Sequence, residues 1–327
     1  MTTEVLTILA GIALVLGLSE VVVRNAIAVA HRYRLTGGFV GLTILSVGTS
    51  IPEIMTQVVA SVTILREPGS MDTLSALVVG ANIGSDIFQQ NFVLPFAGLV
   101  GTIVVVRTEL HEQMGALTAA SILVWIFSLG GLITRLEGGL LVVSYIAYLL
   151  FLASRSHLAE HLSEASGVPQ TDRMWVRVSL IVLCFLLIAV VSERVVVAAG
   201  LLVDRIPLSA SFFGVLFLGM ATALPELSAA LVAISKGEQG ISAGVLIGSN
   251  VTNPLLGIGL GAAISQYSVP HVVTLYDLPV KILTALILYI FLLRQENLTR
   301  REAGALIAMF VFYLYARHLF FPEDVIP

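Results

Sequence analysis

Charge is what this chain lacks. Only 12% of its 327 residues are Asp, Glu, Lys or Arg, about half the roughly 25% of a soluble globular domain. Hydrophobic residues make up 57%, and mean hydropathy is +0.98. A chain this long can bury a large core, but a soluble fold would still need a polar exterior, and this composition cannot furnish one. It describes a polytopic membrane protein. Cysteine is nearly absent: Cys184, inside an apolar run, excludes an intramolecular disulfide and gives no support to a Cys/His metal cluster. No Lys/Arg-rich run exists, and the net charge of −4 with a pI near 5.9 speaks against nucleic acid as a partner. A basic n-region and a small-residue cleavage site are both missing, so residues 4–29 are expected to be a spanning helix rather than a removed signal peptide.

Apolar runs near the 20 residues that cross a bilayer fall at 4–29, 36–64, 73–101, 113–131 and 133–153, then at 177–203, 208–234, 240–265, 278–294 and 301–320. The expected fold is all-α and polytopic, with ten transmembrane helices. Between the two sets lies the longest polar stretch, 155–173, with Ser156, His157, Glu160, Glu164, Pro169 and Asp172. It is too short for a regulatory domain. The expected organisation is a first five-helix repeat over 1–154, a cytoplasmic linker over 155–173 and a second repeat over 174–327.

The halves repeat. Ser19-Glu20 precedes Ile51-Pro52-Glu53, and Ser192-Glu193 precedes Leu224-Pro225-Glu226; Glu20 to Glu53 and Glu193 to Glu226 are both 33 positions. Farther on, Ile83-Gly84-Ser85-Asp86 matches Ile247-Gly248-Ser249-Asn250. Five helices per half place the halves in opposite orientations, the inverted-repeat plan of secondary transporters. With the N-terminus outside, ten Lys and Arg (Arg32, Arg34, Arg107, Arg155, Arg173, Arg177, Lys236, Arg294, Arg300, Arg301) fall in cytoplasmic loops, against five outside (Arg66, Arg135, Arg205, Lys281, Arg317). The positive-inside rule then favours that orientation.

A carboxylate at bilayer depth costs roughly 2.5–3.5 kcal/mol on insertion scales. Four such residues form matched pairs, Glu20 with Glu193 and Glu53 with Glu226, and Asp86 stands alone. Glu53 and Glu226 carry the strongest signal, because each follows a proline: Gly48-Thr49-Ser50-Ile51-Pro52-Glu53 and Ala221-Thr222-Ala223-Leu224-Pro225-Glu226. Proline lacks an N–H and clashes with the carbonyl four residues back, so it bends a membrane helix and frees backbone oxygens that something else must satisfy. Hydroxyls three or four residues earlier share the carboxylate's helix face. Each segment thus gathers the hard oxygen ligands that Ca²⁺ collects six to eight of. Ser85 with Gln89, and Ser249 with Asn253, are four apart and share a face of a second helix in each half. Nearby Gly80, Gly84, Gly244 and Gly248 allow close helix approach, and for Gly80 and Gly244 plain packing is the better account.

At these residues the chain resembles the calcium/cation antiporter superfamily, and within it the sodium/calcium exchanger family. The resemblance runs over the whole chain and rests on Gly-Thr-Ser-x-Pro-Glu followed by Gly-Ser-Asn-x-x-Asn/Asp in each half. It implies Glu53 and Glu226 as central ligands for the metal ion carried. Thr49, Ser50 and Thr222 would supply side-chain or main-chain oxygen, and Ser46 and Gly219 carbonyls one turn earlier. Ser85, Gln89, Ser249 and Asn253 would line flanking monovalent-ion sites. The chain departs from the family at Ala221 and Ala223, which replace Gly and Ser, and at Gln89, where Asn is usual. Asp86 replaces Asn and sits one residue off the Ser85/Gln89 face, so it is expected to be a structural or gating group rather than a ligand.

The resemblance implies exchange of Ca²⁺ for Na⁺ by alternating access, the ions competing for the Glu53/Glu226 oxygens while the first and sixth helices slide. Proton/calcium exchange, with the same glutamates carrying the protons, is the alternative. The Gly-Ser-Asp/Asn arrangement leans to sodium; the shortage of hydroxyls and Gln89 lean the other way. For Glu20 and Glu193, a place in the ion pathway and pairing with Arg24 and Arg194 both stand. No enzyme activity, cofactor or obligate protein partner is expected. The partners are Ca²⁺, Na⁺ or H⁺ and the lipid bilayer, in a multi-pass protein of a prokaryotic cell membrane. An intramembrane enzyme would need a dyad or zinc motif, and the six histidines lie in loops or near helix ends. A channel would not need two inverted carboxylate half-sites, and a scaffold leaves both glutamates unexplained. Tyr33, Tyr145, Tyr148, Trp175, Tyr276, Tyr313 and Tyr315 near helix ends are expected to anchor at the membrane interface.

Overall fold

The computed structural model describes residues 2–32, 41–100, 107–160, 174–203, 208–235, 239–295 and 297–326, nearly all of them helical. Helix α1 (Thr2–Arg32) and helix α8 (Met174–Val203) lie along one another. Gly11 allows this, since a Cβ there would collide with the Val195 side chain. A small apolar cluster of Val15, Val22, Ile51, Cys184 and Ile188 joins the pair to the rest, while Leu6, Leu9, Leu183, Leu186 and Val190 point outward, as lipid-facing side chains would.

Helices α2 (Gly41–Thr49) and α3 (Ile51–Arg66) meet at a 51° bend. Pro52 sits in the first turn of α3, where its missing N–H leaves an upstream carbonyl without a helical partner. The hinge residue Ser50 has φ −80°, ψ 4°. Its counterpart Ala223, between α10 (Met220–Thr222) and α11 (Leu224–Ser235), has φ −80°, ψ −4°. Helix α4 (Met71–Phe88) continues through a π-helical turn (Gln89–Val93) into α5 (Leu94–Val100). After α6 (Arg107–Ser128) and α7 (Arg135–Glu160), the second half has α9 (Ala210–Phe213), α10, α11, α12 (Gln239–Thr252), α13 (Gly259–Ser265), α14 (Leu278–Gln295) and α15 (Arg300–Phe320). One antiparallel pair, β1 (Leu132–Ile133) with β2 (Tyr267–Ser268), is an addition to the all-α expectation.

The repeat seen in the sequence is also present in the local geometry. π-Helical turns occur at Gly41–Leu45 and Gly214–Gly219, and again at Gln89–Val93 and Asn253–Ile258. The shift that takes Glu53 to Glu226 takes Gly41 to Gly214, and the shift that takes Ser85 to Ser249 takes Gln89 to Asn253. Such turns are frequent at functional sites. The same shifts relate two interlocks: Gly84 lies against Val215, and Gly248 against Leu42. Each is a glycine of one half meeting the π turn of the other, so the same contact is made twice with the halves exchanged.

Among the described residues, seven helices are long and apolar enough to cross a membrane, or eight with the bent α2–α3 pair as one span. The protein is therefore a multi-pass integral membrane protein. Several expectations need correction. Helix α7 continues to Glu160, into the stretch read as linker, and residues 161–173 lie outside the described part. Lys281 and Arg317, counted as external loop charges, are fully buried inside helices. Their burial takes two charges from the external count and none from the cytoplasmic one. Tyr145 and Tyr313 are buried rather than interfacial, each bonded to a polar partner, whereas Trp175 is 84% exposed. Glu20 is exposed and paired with Arg24, which favours pairing over a pathway role. Tyr33 and the Glu193 side chain lie outside the described part.

Candidate cation site

The two bent segments bring Glu53 and Glu226 into the interior, 3% and 0% exposed, near enough to repel one another. Ser85 Oγ donates to Glu53 Oε1 at 3.1 Å, and Ser50 Oγ to Glu226 Oε1 at 3.4 Å. Thr222 lies beside Glu53 and Thr49 beside Glu226, so each threonine neighbours the carboxylate of the other half. Their hydroxyls donate to carbonyls of their own helices, Thr49 to Leu45 (3.0 Å) and Ser46 (3.4 Å), Thr222 to Leu218 (2.9 Å) and Gly219 (3.3 Å). The Ser46 and Gly219 carbonyls also accept the hinge N–H groups of Ser50 (3.0 Å) and Ala223 (3.2 Å). The two carbonyls therefore hold equivalent places in the two halves. The Ser46 hydroxyl is directed at the Leu42 carbonyl (2.7 Å).

The helix-4 and helix-12 residues depart from mirror symmetry. Gln89 Nε2 donates to Ser85 Oγ at 3.1 Å, as the shared face implies. Ser249 donates to Gln89 Oε1 rather than to Glu226, and Asn250 Nδ2 donates to the same oxygen at 3.2 Å. The physical reason is length: glutamine has one methylene more than asparagine and spans the gap between the halves. Asn253 does not join that cluster. Its Nδ2 donates to Asp86 Oδ1 at 2.9 Å, and Asp86 Oδ2 is ion-paired with Lys281.

Sequence reasoning put Lys281 in an external loop and missed its pairing with Asp86. It also passed over Asn82, Gln90, Asn91 and Thr284, which extend the polar interior: Asn82 Nδ2 to the Asn253 carbonyl (3.0 Å), Gln90 Nε2 to Asn250 Oδ1 (2.9 Å), Asn91 Nδ2 to Thr284 Oγ1 (3.1 Å). The available signal was the cluster of amides inside the apolar run 73–101. A second buried pair, Asp277 with Arg317 (3.0 Å), was missed as well.

These pairs give a charge ledger. Among the described residues, the buried charged side chains are Glu53, Asp86, Glu226, Asp277, Lys281 and Arg317. Lys281 neutralises Asp86 and Arg317 neutralises Asp277. Glu53 and Glu226 are left with no cation beside them, and Oε2 of each is buried without a hydrogen-bond donor. Buried charge and unmade hydrogen bonds are both costly, and a bound cation or a proton would relieve the cost. A cavity lined by Ile12, Val15, Val195, Pro52, Thr56, Ala221, Thr222 and Pro225 lies between the α1/α8 pair and the two proline hinges.

The family model described as sodium/calcium exchanger protein matches residues 3–153 and 176–319. The chain belongs to the sodium/calcium exchanger family. The sodium/calcium exchanger MaX1 of Methanosarcina acetivorans is 24% identical over 351 residues, covering 96% of this chain and 98% of that protein. The inner membrane protein YrbG of Escherichia coli K12 is 26% identical over 314 residues and 92% of each chain. Among solved structures, the sodium-calcium exchanger NCX_Mj soaked with Na⁺ and Sr²⁺ superposes with a TM-score of 0.69 at 20% identity, over 96% of this chain and 98% of that one. The fold is that of the exchangers, and the family is one of transporters, not enzymes.

Proposed function

We propose that the protein is a secondary active antiporter that moves Ca²⁺ across the membrane in exchange for Na⁺ by alternating access. In this reading the helices form ten spans in two inverted repeats of five, the first ending with α7 at Glu160 and the second beginning with α8 at Met174. The observation that carries it is the buried Glu53/Glu226 pair, with no cation beside it and one oxygen of each without a donor, a site of charge −2 when both are ionised. One Ca²⁺ neutralises that charge, and so do two monovalent cations. Occupancy by one kind excludes the other, which is coupling by competition. Thr49, Thr222, Ser50 and the Ser46 and Gly219 carbonyls are the remaining oxygens of the central site. Ser85, Gln89, Ser249 and Asn253 flank it. The cavity against Val15 and Val195 supports α1 and α8 as the moving pair, since their sliding would open or close it.

One observation favours a proton-coupled alternative. Gln89 Oε1 already accepts two hydrogen bonds, and Ala223 offers no hydroxyl, so fewer oxygens remain for Na⁺ than symmetry would supply. The two readings part in ⁴⁵Ca²⁺ uptake by proteoliposomes. The expected result is uptake driven by an outward Na⁺ gradient at equal pH, abolished by E53Q. Uptake driven only by a pH gradient would move the coupling to protons. Failure under both gradients would refute the calcium assignment.

A further inference from the structure

We propose that Asp86 and Lys281 are positioning residues that aim the side-chain amide oxygen of Asn253, Oδ1, at a monovalent cation beside the central carboxylates. The proposal rests on the antiport reading above. An ionised carboxylate only accepts hydrogen bonds, so the 2.9 Å contact with Asp86 Oδ1 fixes which end of the Asn253 amide is the NH₂. Oδ1 of Asn253 then points the other way, and it is fully buried with no donor. The main chain is pinned too, because the Asn253 carbonyl accepts from Asn82 Nδ2 at 3.0 Å and the residue opens the π turn Asn253–Ile258.

Lys281 explains how a carboxylate can do this beside a cation site. An unpaired Asp86 would be a third negative charge and would compete for the cation. With its other oxygen held by the Lys281 ammonium, both groups 0% exposed, it is an acceptor of no net charge. The equivalent positions in the other half show what is lost without the pair. There Asn250 stands for Asp86 and Gln89 for Asn253, and Gln89 Oε1 is filled by Ser249 and Asn250. One flanking position thus presents a free oxygen and the other is closed.

The test uses ⁴⁵Ca²⁺ self-exchange in proteoliposomes of the full chain, with Na⁺ as competitor. D86L/K281M removes the acceptor without leaving an unpaired charge. D86N/K281M keeps an amide oxygen that can still accept from Asn253. The leucine variant is expected to need about tenfold more Na⁺ for half-inhibition, the usual scale for losing a residue that orients an ion ligand. Its half-saturation for Ca²⁺ should move less than about threefold, and the asparagine variant should recover the Na⁺ response. If D86L/K281M does not elute as a monodisperse species, D86A/K281M carries the same prediction. An unchanged Na⁺ response in the leucine or alanine variant overturns the proposal. So does an equal loss for both ions with no recovery in D86N/K281M, which would mark the pair as purely structural. Wild-type protein without Ca²⁺ exchange would instead refute the antiport reading, and Ca²⁺ exchange indifferent to Na⁺ would overturn this inference together with the sodium coupling while leaving Ca²⁺ antiport standing.

Discussion

The Arg317–Asp277 pair tests how the second half is held in register. Arg317 Nε reaches Asp277 Oδ1 at 3.0 Å and Oδ2 at 3.3 Å, Nη1 reaches the Phe321 carbonyl at 3.0 Å, and Nη2 donates to Ser211 Oγ. Ser211 in turn donates to Asp324, and Tyr313 donates to Asp277 at 2.9 Å. The network therefore clamps α15 and the C-terminal segment onto α9, the start of the path into the Glu226 hinge. R317M would leave Asp277 buried with Tyr313 as its remaining donor. Breaking a buried pair from one side costs about 3–5 kcal/mol, and the Phe321 carbonyl left without its donor adds about 1–3 kcal/mol. At about 2 °C per kcal/mol for a chain of this size, the melting temperature of the detergent-purified protein should fall by roughly 8–16 °C. R317M/D277N removes both charges and keeps an acceptor for Tyr313, so it should lose only about 1–3 kcal/mol. The double variant is thus expected to melt higher than the single one, by the roughly 1–7 kcal/mol that separates the two losses. Single and double variants melting within about 2 °C of each other would show that an unpaired buried Asp277 does not destabilise the fold, against the reasoning above.

Three further outcomes are expected. E53Q and E226Q should each abolish ⁴⁵Ca²⁺ uptake yet melt no lower than wild type in ion-free buffer, because each relieves repulsion between two buried carboxylates; a large drop in melting temperature would show that the charges serve the fold. A223S restores the hydroxyl missing beside Glu53 and should lower the Na⁺ concentration for half-inhibition of Ca²⁺ exchange by about three- to tenfold, the scale of one hydrogen bond or ion ligand; no change would mean the hinge hydroxyl does not reach the ion. G214A would drive a Cβ into the Leu77 carbonyl and the Ala81 amide and should cost about 1–3 kcal/mol in a melting assay, whereas G115A, with nothing near, should be neutral or stabilising by up to about 1 kcal/mol; equal behaviour of the two would contradict the interlock.

What was legible in the sequence was local. Apolar length marks a helix without reference to any other segment, and Pro52-Glu53 with Pro225-Glu226 carry their bend and their carboxylate within two residues. The partners of Asp86 and Asp277 were not legible for the opposite reason. Lys281 lies 195 positions from Asp86, and both Lys281 and Arg317 fall near the ends of apolar runs, where a cation reads naturally as a loop charge. Tyr145 was misplaced in the same way: its hydroxyl is spent on Thr252, 3.2 Å away and 107 positions on. Long-range pairing leaves no periodicity behind, and only the rule that membrane charges come with partners could have prompted a search for them. The Ser249/Asn253 face failed differently. The spacing was right, but the longer Gln89 side chain captured Ser249 from across the interface.

That capture bears on how an asymmetric pair of half-sites still makes a balanced one. Strict symmetry would give each glutamate one hydroxyl from the hinge and one from the neighbouring helix. The sequence removes one of each: Ala223 takes the hinge hydroxyl from Glu53, and Gln89 takes Ser249 from Glu226. Glu53 keeps Ser85 and Glu226 keeps Ser50, so each carboxylate ends with one oxygen tied and one free. Two further donors would have satisfied the free oxygens and weakened their hold on a metal ion, since a carboxylate oxygen already hydrogen-bonded has less charge to share. The two departures from the repeat therefore act in the same sense: they leave one unshared oxygen on each side of the interior, where the antiport proposal puts a cation held by both halves.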